Sequence, residues 1–132
     1  MNPDDRVEPD GLSHDPSRIE GRPTIDVETF FTADVRVGTI TAARPLERAR
    51  IPALVIEVDF GPVLGTRRSS ARITNYPIDD LVGRQVVGVV NLPPRRVAGI
   101  DSQFLVLGAL HPDGSVELLA PDGDVPDGAP VA

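Results

Sequence analysis

Residues 86–110 read VVGVVNLPPRRVAGIDSQFLVLGAL, and this stretch decides the fold. Its two apolar runs, 86–90 and 104–110, are rich in β-branched residues and too short to span a membrane, so they predict buried strands. The polar connection between them holds two prolines and two adjacent arginines, Arg95 and Arg96, which we expect at its tip. Guanidinium groups bind phosphate bidentately, so this loop suits an anion. The alternative is a plain solvated connection between two strands.

The composition indicates one turn-rich domain. The 132 residues include 14 prolines, 12 glycines and no cysteine, which excludes disulfides, thiolate nucleophiles and cysteine-based zinc sites. The sequence shows no N-terminal apolar segment and no apolar run of about 18 residues, so we expect neither a signal peptide nor a spanning helix, and a cytoplasmic location.

The charge is unevenly distributed along the chain. The net charge is −7, yet residues 36–96 contain ten arginines and five acidic residues, whereas residues 101–132 contain six acidic residues and no arginine. Because the middle of the chain is basic and the ends are acidic, the negative net charge does not exclude nucleic acid as a partner.

Residues 1–23 are polar and proline-spaced, and we expect a disordered extension before a domain at residues 24–132. At the start of that domain, Asp26 is a plausible N-cap for a short amphipathic helix. Val27, Phe30 and Phe31 fall on one face of it. We expect this helix to form a lid on the domain, or alternatively to contribute to a subunit interface.

The strand pattern favours a small barrel. In VRVGTITAA, residues 35–43, the apolar positions change parity across Gly38, which predicts a bulge or tight bend in a strand shared by both halves of a curved sheet. Further alternating strands and frequent turns predict an all-β, five-stranded Greek-key barrel with a short N-terminal helix and extra strand or loop elements. A β-sandwich is the second choice. We expect the acidic tail after residue 120 to be extended and to wrap the domain or a partner.

Catalytic patterns are missing from the sequence. The two histidines, His14 and His111, lie in the predicted extension and in a turn, and neither a Walker A sequence nor a GxGxxG motif occurs. Loop aspartates, such as those at 79, 80, 122 and 124, could bind a hard cation, but solvated loop acids are commoner. We therefore expect a binding protein, not an enzyme, without a metal or a cofactor.

Several motifs in order resemble one family. They are DVRVGTI (34–40), IEVDFG (56–61), SSARIT (69–74), and NLPPRRVAG (91–99) followed by SQFLVLGA. Together they resemble the CsaA-type export-related chaperones of the tRNA-binding OB-fold domain family, which also supplies appended domains to methionyl-tRNA synthetases and EMAP-II-like proteins. The resemblance implies an OB-fold barrel that forms a homodimer, binds tRNA, and acts as a chaperone of unfolded or exported polypeptides, possibly with the export machinery. The alternative is a stand-alone tRNA-binding or synthetase-docking module without chaperone activity.

The resemblance and the charge pattern together give candidate site residues. For tRNA these are the basic and polar side chains of one strand and of the central loop: Arg67, Arg68, Ser69, Ser70, Arg72, Asn91, Arg95, Arg96 and Ser102. For polypeptide, an apolar groove would involve Phe60, Leu92 and Phe104, although each of them is also a typical core residue.

Overall fold

One long strand, β1 (Val35–Pro45), pairs on both sides and organises the sheet. In the computed structural model, which describes residues 13–132, β1 lies between β2 (Leu54–Asp59) and β4 (Gln85–Val89). The outer strands are β3 (Thr66–Ala71), next to β2, and β7 (Leu105–Val106), next to β4. All four pairings are antiparallel, which confirms the predicted all-β class and the OB-fold-like barrel.

Short elements complete the fold. Between β4 and β7, the strands β5 (Arg95–Val97) and β6 (Ile100–Ser102) form a hairpin, and β8 (Gly108–Leu110) pairs with β9 (Val116–Leu118). The described helices are α1 (Val27–Phe30), α2 (Gly61–Leu64) and a 3₁₀ helix at Ile78–Asp80. None of the helices in residues 13–132 has the length and apolar character needed to cross a membrane.

The bend in β1 allows the sheet to curl into a barrel. Residues 35–39 pair with β4, residues 39–45 pair with β2, and Thr39 faces both Gln85 and Asp59. The register shifts between Ile40 and Ala42, so Thr41 is the extra residue of a bulge. This confirms the predicted bend and places the bulge three residues after Gly38.

Gly38 makes the close approach inside the bend possible. A Cβ atom at this position would lie 2.6 Å from Val58 Cγ1 and 2.8 Å from Phe60 Cδ1. The glycine is therefore required for space at a point where the strand lies directly on the core.

The core fills the barrel with alternating residues from these strands. Ile40, Ile56, Val58 and Val86 are fully buried, as the predicted alternation requires. The rings of Phe60 and Phe104 meet edge to face at the centre, with 5.0 Å between their centroids.

Three hydrogen bonds, two of them from side chains, join the two outer edges of the sheet. Gln103 N–H donates to Arg68 O at 2.8 Å, and Arg68 N–H donates to Gln103 Oε1 at 3.0 Å. The buried Ser69 hydroxyl donates to Phe104 O at 2.9 Å. These three bonds connect β3 to the segment before β7 and nearly close the barrel.

The predicted lid is wrong. Asp26 does cap α1, because its Oδ1 accepts from Thr29 N–H at 2.7 Å, and the bonds to Thr29 lower the pKa of this carboxyl. However, no residue of α1 is buried. The helix has a single turn, and the rings of Phe30 and Phe31 pack against each other, with 5.3 Å between centroids, instead of against the barrel.

Two local predictions also need correction. The predicted strand at 104–110 is divided into β7 and β8, and the two arginines lie on β5 instead of at the loop tip. The tip is formed by Ala98 and Gly99, which both have positive φ (46° and 91°), as a two-residue hairpin turn of the primed type requires.

The acidic tail wraps the domain, as expected. Gly128 N–H donates to Val37 O at 2.7 Å, Val37 N–H donates to Ala129 O at 2.9 Å, and Thr39 Oγ1 donates to Asp127 Oδ1 at 2.6 Å. The tail thus extends the sheet along the edge of β1 that β2 leaves uncovered. At the other end of the chain, residues 1–12 of the predicted extension lie outside the described residues, and residues 13–23 contain no helix or strand.

The packing around Gly38 gives the first prediction. We expect Gly38→Ala to lower the free energy of unfolding by about 1–3 kcal/mol, because the added methyl group overpacks a closed core. Urea denaturation of both variants measures the effect. Gly123→Ala is the matched control, because a Cβ there meets nothing within 4 Å. Equal stability of the two variants would contradict the close-packed bend.

Candidate nucleic-acid interface

An open groove of about 940 Å³ lies beside β3 and the β5–β6 hairpin. We call it the arginine groove and define it by Arg48, Arg50, Ser70, Arg72 and Arg95. Its other lining residues are alanine, glycine and aliphatic side chains, and none of the residues in 13–132 that line it is acidic or aromatic. The groove therefore combines a positively charged wall with an apolar floor.

Three elements bring the four arginines together. Ser70 and Arg72 are two residues apart along β3 and its continuation, so their side chains share a face. Arg95 begins β5, where it pairs with Ser102. Arg48 and Arg50 come from the connection between β1 and β2.

That connection is folded back by its own bonds. Leu46 is buried, its N–H donates to Ala53 O at 3.0 Å, and Ala49 N–H donates to Leu46 O at 3.2 Å. The closed loop holds Arg48 next to the hairpin turn, since a Cβ at Gly99 would lie 3.4 Å from Arg48 Nη1. The loop and the hairpin are therefore neighbouring walls of one groove.

None of the four guanidinium groups is paired with an acidic side chain of the described residues. Over residues 13–132, the ion pairs join Arg18 to Asp15, Arg36 to Asp34, Arg96 to Asp101 and His111 to Glu117, so Arg48, Arg50, Arg72 and Arg95 are in none of them. Four like charges around one groove create a local positive potential that attracts anions.

Serine hydroxyl groups hold the hairpin in place. Ser102 Oγ accepts from Ser70 N–H at 3.1 Å and lies 3.2 Å from Ser69 Oγ. These bonds fasten β6 to β3 and thereby keep Arg95 on the same side as Arg72. Ser69 is 1% exposed, so its hydroxyl supports the surface from inside and cannot contact a ligand.

The other residues predicted for tRNA lie outside the arginine groove. Arg67 Nη1 donates to Val90 O at 2.6 Å, and Arg96 pairs with Asp101 across the hairpin at 3.0 Å. Asn91 ties two loops together, because its Oδ1 accepts from Asp34 N–H and its Nδ2 donates to Thr32 O, each at 2.8 Å. Arg68 shares a face of β3 with Ser70 but lies opposite Glu57 of β2 and does not line the groove.

The arginine groove thus brings together three of the nine predicted residues, Ser70, Arg72 and Arg95, and adds two that were not assigned. The signal for Arg48 and Arg50 was present in the sequence as an arginine-rich connection at 44–52. Alternation along a strand identifies exposed faces, but no local pattern shows which way an irregular loop folds.

The residues predicted for polypeptide do not form one groove. Phe60 and Phe104 are 1% and 4% exposed, because the edge-to-face pair that they form fills the centre of the barrel. Leu92 is 46% exposed and is the only one of the three at the surface. The apolar surface that does exist beside the arginines is aliphatic and includes Leu105, which is 51% exposed.

A separate apolar surface surrounds α1. We call it the α1 patch: Ile25, Val27, Phe30 and Phe31 are each more than half exposed. Asn91 anchors the residues after α1 through Thr32 and Asp34, which places the patch at a fixed position near the end of β4. A rigidly held group of exposed aromatic and aliphatic side chains is typical of an interaction surface.

Comparison with known proteins identifies the family. The family model described as "Putative tRNA binding domain" matches residues 35–130. This chain belongs to that family. The match includes every strand and the whole arginine groove, and it begins after α1.

Solved structures show the same fold. The chaperone CsaA from Bacillus anthracis str. Ames has a TM-score of 0.79 and 46% identity, and the match covers 83% of this chain and all of that one. The CsaA chaperone protein from Picrophilus torridus has a TM-score of 0.78 and 40% identity with the same coverage. These findings confirm the predicted resemblance to the tRNA-binding family and its CsaA-type members.

The curated relatives are much longer proteins. The methionine–tRNA ligase of Porphyromonas gingivalis is 36% identical over 108 residues, which is 81% of this chain but 15% of the ligase. The chain therefore spans only a small part of the length of the ligases that it matches. In residues 13–132, no group of three or more histidine and acidic side chains is arranged to hold a metal ion.

Proposed function

We propose that the chain binds tRNA through the arginine groove, without catalysing a reaction. The observation that carries this proposal is the grouping of Arg48, Arg50, Arg72 and Arg95 around one groove whose lining, among the described residues, contains no carboxylate. The family assignment supports tRNA as the ligand. The other residues predicted from the sequence, including Arg67, Arg68 and Arg96, are proposed as secondary contacts around this centre.

The groove favours the phosphate backbone over the bases. Guanidinium groups bind phosphate oxygens bidentately, and each neutralised phosphate releases counterions from the RNA. Base stacking requires exposed aromatic rings, and the part of the chain that the structure describes contributes none to the groove. Recognition of a folded RNA by its shape and backbone is therefore the mode that this surface supports.

The net charge of −7 does not oppose this proposal. At physiological ionic strength the Debye length is about 8 Å, so exposed acidic residues farther from the groove are largely screened. A bound phosphate is within direct reach of the guanidinium groups. The local charge of the groove therefore decides binding, and the charge of the whole chain has a smaller effect.

Removal of the groove charges gives the second prediction. We expect the double variants R72Q/R95Q and R48Q/R50Q each to bind tRNA about tenfold more weakly at about 100 mM salt and to reduce the slope of log K against log salt by about 2, one for each lost phosphate contact. Fluorescence anisotropy of labelled tRNA over a salt series measures both quantities.

The control removes the same charge from elsewhere. R18Q/R44Q deletes two exposed arginines outside the groove: Arg18, which pairs with Asp15, and Arg44 of β1. We expect its tRNA affinity to stay within about threefold of that of the unmodified chain, since screened charges contribute little. An equal loss of affinity in the control and the groove variants would reject the groove as the binding surface.

We further propose that the chain is a homodimer that uses the α1 patch. Phe30 and Phe31 are 52% and 51% exposed, and burial of such rings against a second copy would remove a large apolar area from water. A self-complementary patch is also what a two-fold interface requires. The CsaA structures share the fold of this chain, and this shared fold is the support that they give to the proposed dimer.

The third prediction tests the dimer. We expect F30S/F31S to convert a dimer into a monomer in multi-angle light scattering, because the substitution removes the apolar area of the patch while the barrel core stays intact. Val63→Ser is the control, since Val63 is 91% exposed on α2 and lies outside the patch. If the unmodified chain is already a monomer at high concentration, or if F30S/F31S is still a dimer, the proposal fails.

A chaperone role in addition to tRNA binding is a further part of the proposed function. The apolar floor of the arginine groove, with Leu105 at 51% exposure, offers a surface for an unfolded or exported polypeptide, and the CsaA relatives are described as chaperones. The alternative is a stand-alone or synthetase-docking tRNA-binding module without clients, which the ligase relatives favour. We place either activity in the cytoplasm.

The fourth prediction separates these two roles. In a client refolding assay followed by light scattering, we expect the chain to suppress aggregation and Leu105→Ser to reduce the suppression at least about twofold, because the exposed apolar contact is lost. Val82→Ser is the matched control, as Val82 is also 51% exposed but does not line the groove. Absence of suppression by the unmodified chain would favour the stand-alone module.

A further inference from the structure

Ser70 differs chemically from every other described residue that lines the arginine groove. The remaining polar side chains in that lining are guanidinium groups, which donate hydrogen bonds and cannot accept them. A hydroxyl group can both donate and accept. Of the described side chains around the groove, that of Ser70 is therefore the one that can accept a hydrogen bond from a ligand.

The strand directs the Ser70 hydroxyl group into the groove. Ser69 and Ala71 are buried, and side chains alternate along a strand, so the Ser70 side chain lies on the outer face of β3. Ser70 is partly exposed there, and it lines the groove together with Arg72. The hydroxyl group is therefore accessible to a molecule that occupies the groove.

The backbone of Ser70 is fixed, whereas its hydroxyl group is unengaged. The Ser70 N–H donates to Ser102 Oγ at 3.1 Å, and the Ser70 carbonyl oxygen lies 3.1 Å from Ser69 Oγ. Within residues 13–132, no group forms a hydrogen bond with Ser70 Oγ. A ligand can therefore bind this hydroxyl group at a rigid position without breaking a bond inside the protein.

Cationic groups lie on two sides of this hydroxyl group. Arg72 follows two residues later on the same face, at a spacing of about 7 Å along an extended chain. Arg95 pairs with Ser102, whose side chain bonds to Ser70 N–H, so the hairpin places this second arginine beside Ser70. The site thus presents one neutral acceptor between positively charged donors.

The backbone of RNA has the matching sequence of groups. Each ribose carries a 2′-hydroxyl group, which can donate a hydrogen bond, and the same sugar joins two phosphates, which can only accept. The phosphates find the guanidinium groups as donors, and they do not need the serine. The 2′-hydroxyl group needs an acceptor, and Ser70 Oγ is the acceptor that the side chains of the described residues offer.

From these observations we propose that Ser70 accepts a hydrogen bond from a ribose 2′-hydroxyl group of the bound RNA and so allows the groove to distinguish RNA from DNA. The inference rests on the proposed function, because the same groove is the RNA site. It divides recognition between two kinds of side chain. The arginines bind phosphates, which RNA and DNA share, and Ser70 binds the group that DNA lacks.

The experiment combines a substitution in the protein with a substitution in the ligand. The two ligands are one tRNA and its 2′-fluoro analogue, which keeps the phosphates and the RNA-like sugar conformation but cannot donate a hydrogen bond from the 2′ position. We expect the unmodified chain to prefer the tRNA, and Ser70→Ala to reduce the ratio of the two affinities about three- to tenfold, the effect of one lost hydrogen bond. The salt dependence of tRNA binding should stay unchanged in Ser70→Ala, because no phosphate contact is lost.

Two further variants separate this role from a structural one. Ser70→Thr keeps a hydroxyl group at the same position, and we expect it to retain most of the preference for the 2′-hydroxyl ligand. Ser17→Ala removes an exposed hydroxyl group outside the groove, and we expect it to retain the full preference.

The outcomes distinguish the inference from the proposed function. If Ser70→Ala weakens both ligands by the same factor, or weakens neither, the inference is overturned. In both cases, weaker tRNA binding by R72Q/R95Q would leave the arginine groove as the RNA site. Absence of tRNA binding by the unmodified chain would reject the proposed function together with the inference.

Discussion

The hydroxyl of Ser69 and the amide of Gln103 hold the two edges of the curled sheet together, and the proposed binding surface depends on this closure. Ser69 donates to Phe104 O at 2.9 Å, and Gln103 exchanges two bonds with Arg68. Without these bonds, β3 and the segment before β7 would be open edges with unpaired backbone groups. Closure also brings Ser102 Oγ within hydrogen-bond distance of Ser70 N–H, and this bond positions the hairpin that carries Arg95. The polar residues inside the wall therefore build the surface that the arginines use.

The same arrangement explains why the candidate residues have different roles. A hydroxyl or amide that already bonds to backbone, such as those of Ser69 and Asn91, contributes stability and geometry, because breaking its bonds to reach a ligand costs about as much as a new bond would return. A guanidinium without a carboxylate partner does not have to break an ion pair before it contacts a ligand. The distinction between support and contact follows from the hydrogen-bond partners, and it separates Arg72 and Arg95 from Arg96, which pairs with Asp101.

Much of the architecture could be predicted from the sequence, because periodicity reports burial directly. The parity change around Gly38 predicts the bent strand, and the alternation of further strands predicts buried positions such as Ile56 and Val58, while Val55, which is also buried, departs from it. The site was less predictable because it depends on irregular backbone. The hairpin turn uses Ala98 at a φ of 46°, an unusual conformation for alanine that local propensity does not indicate. The sequence therefore predicts Arg95 and Arg96 at the tip, whereas the structure places them on β5. Because side chains alternate along a strand, Arg95 and Arg96 point to opposite faces of β5.

The aliphatic floor of the groove affects the strength of its charges. Alanine, valine and leucine side chains form a wall of low polarizability behind Arg72 and Arg95, and such a wall concentrates the field of the guanidinium groups into the open side. At 4 Å, two unit charges interact by about 1 kcal/mol in bulk water and by about 4 kcal/mol near a protein surface of effective dielectric constant 20. A few arginines on an apolar surface can therefore hold an anion that the net charge of −7 would otherwise repel. The same apolar floor is the surface proposed for polypeptide, so the two proposed ligands, tRNA and polypeptide, would compete for one groove.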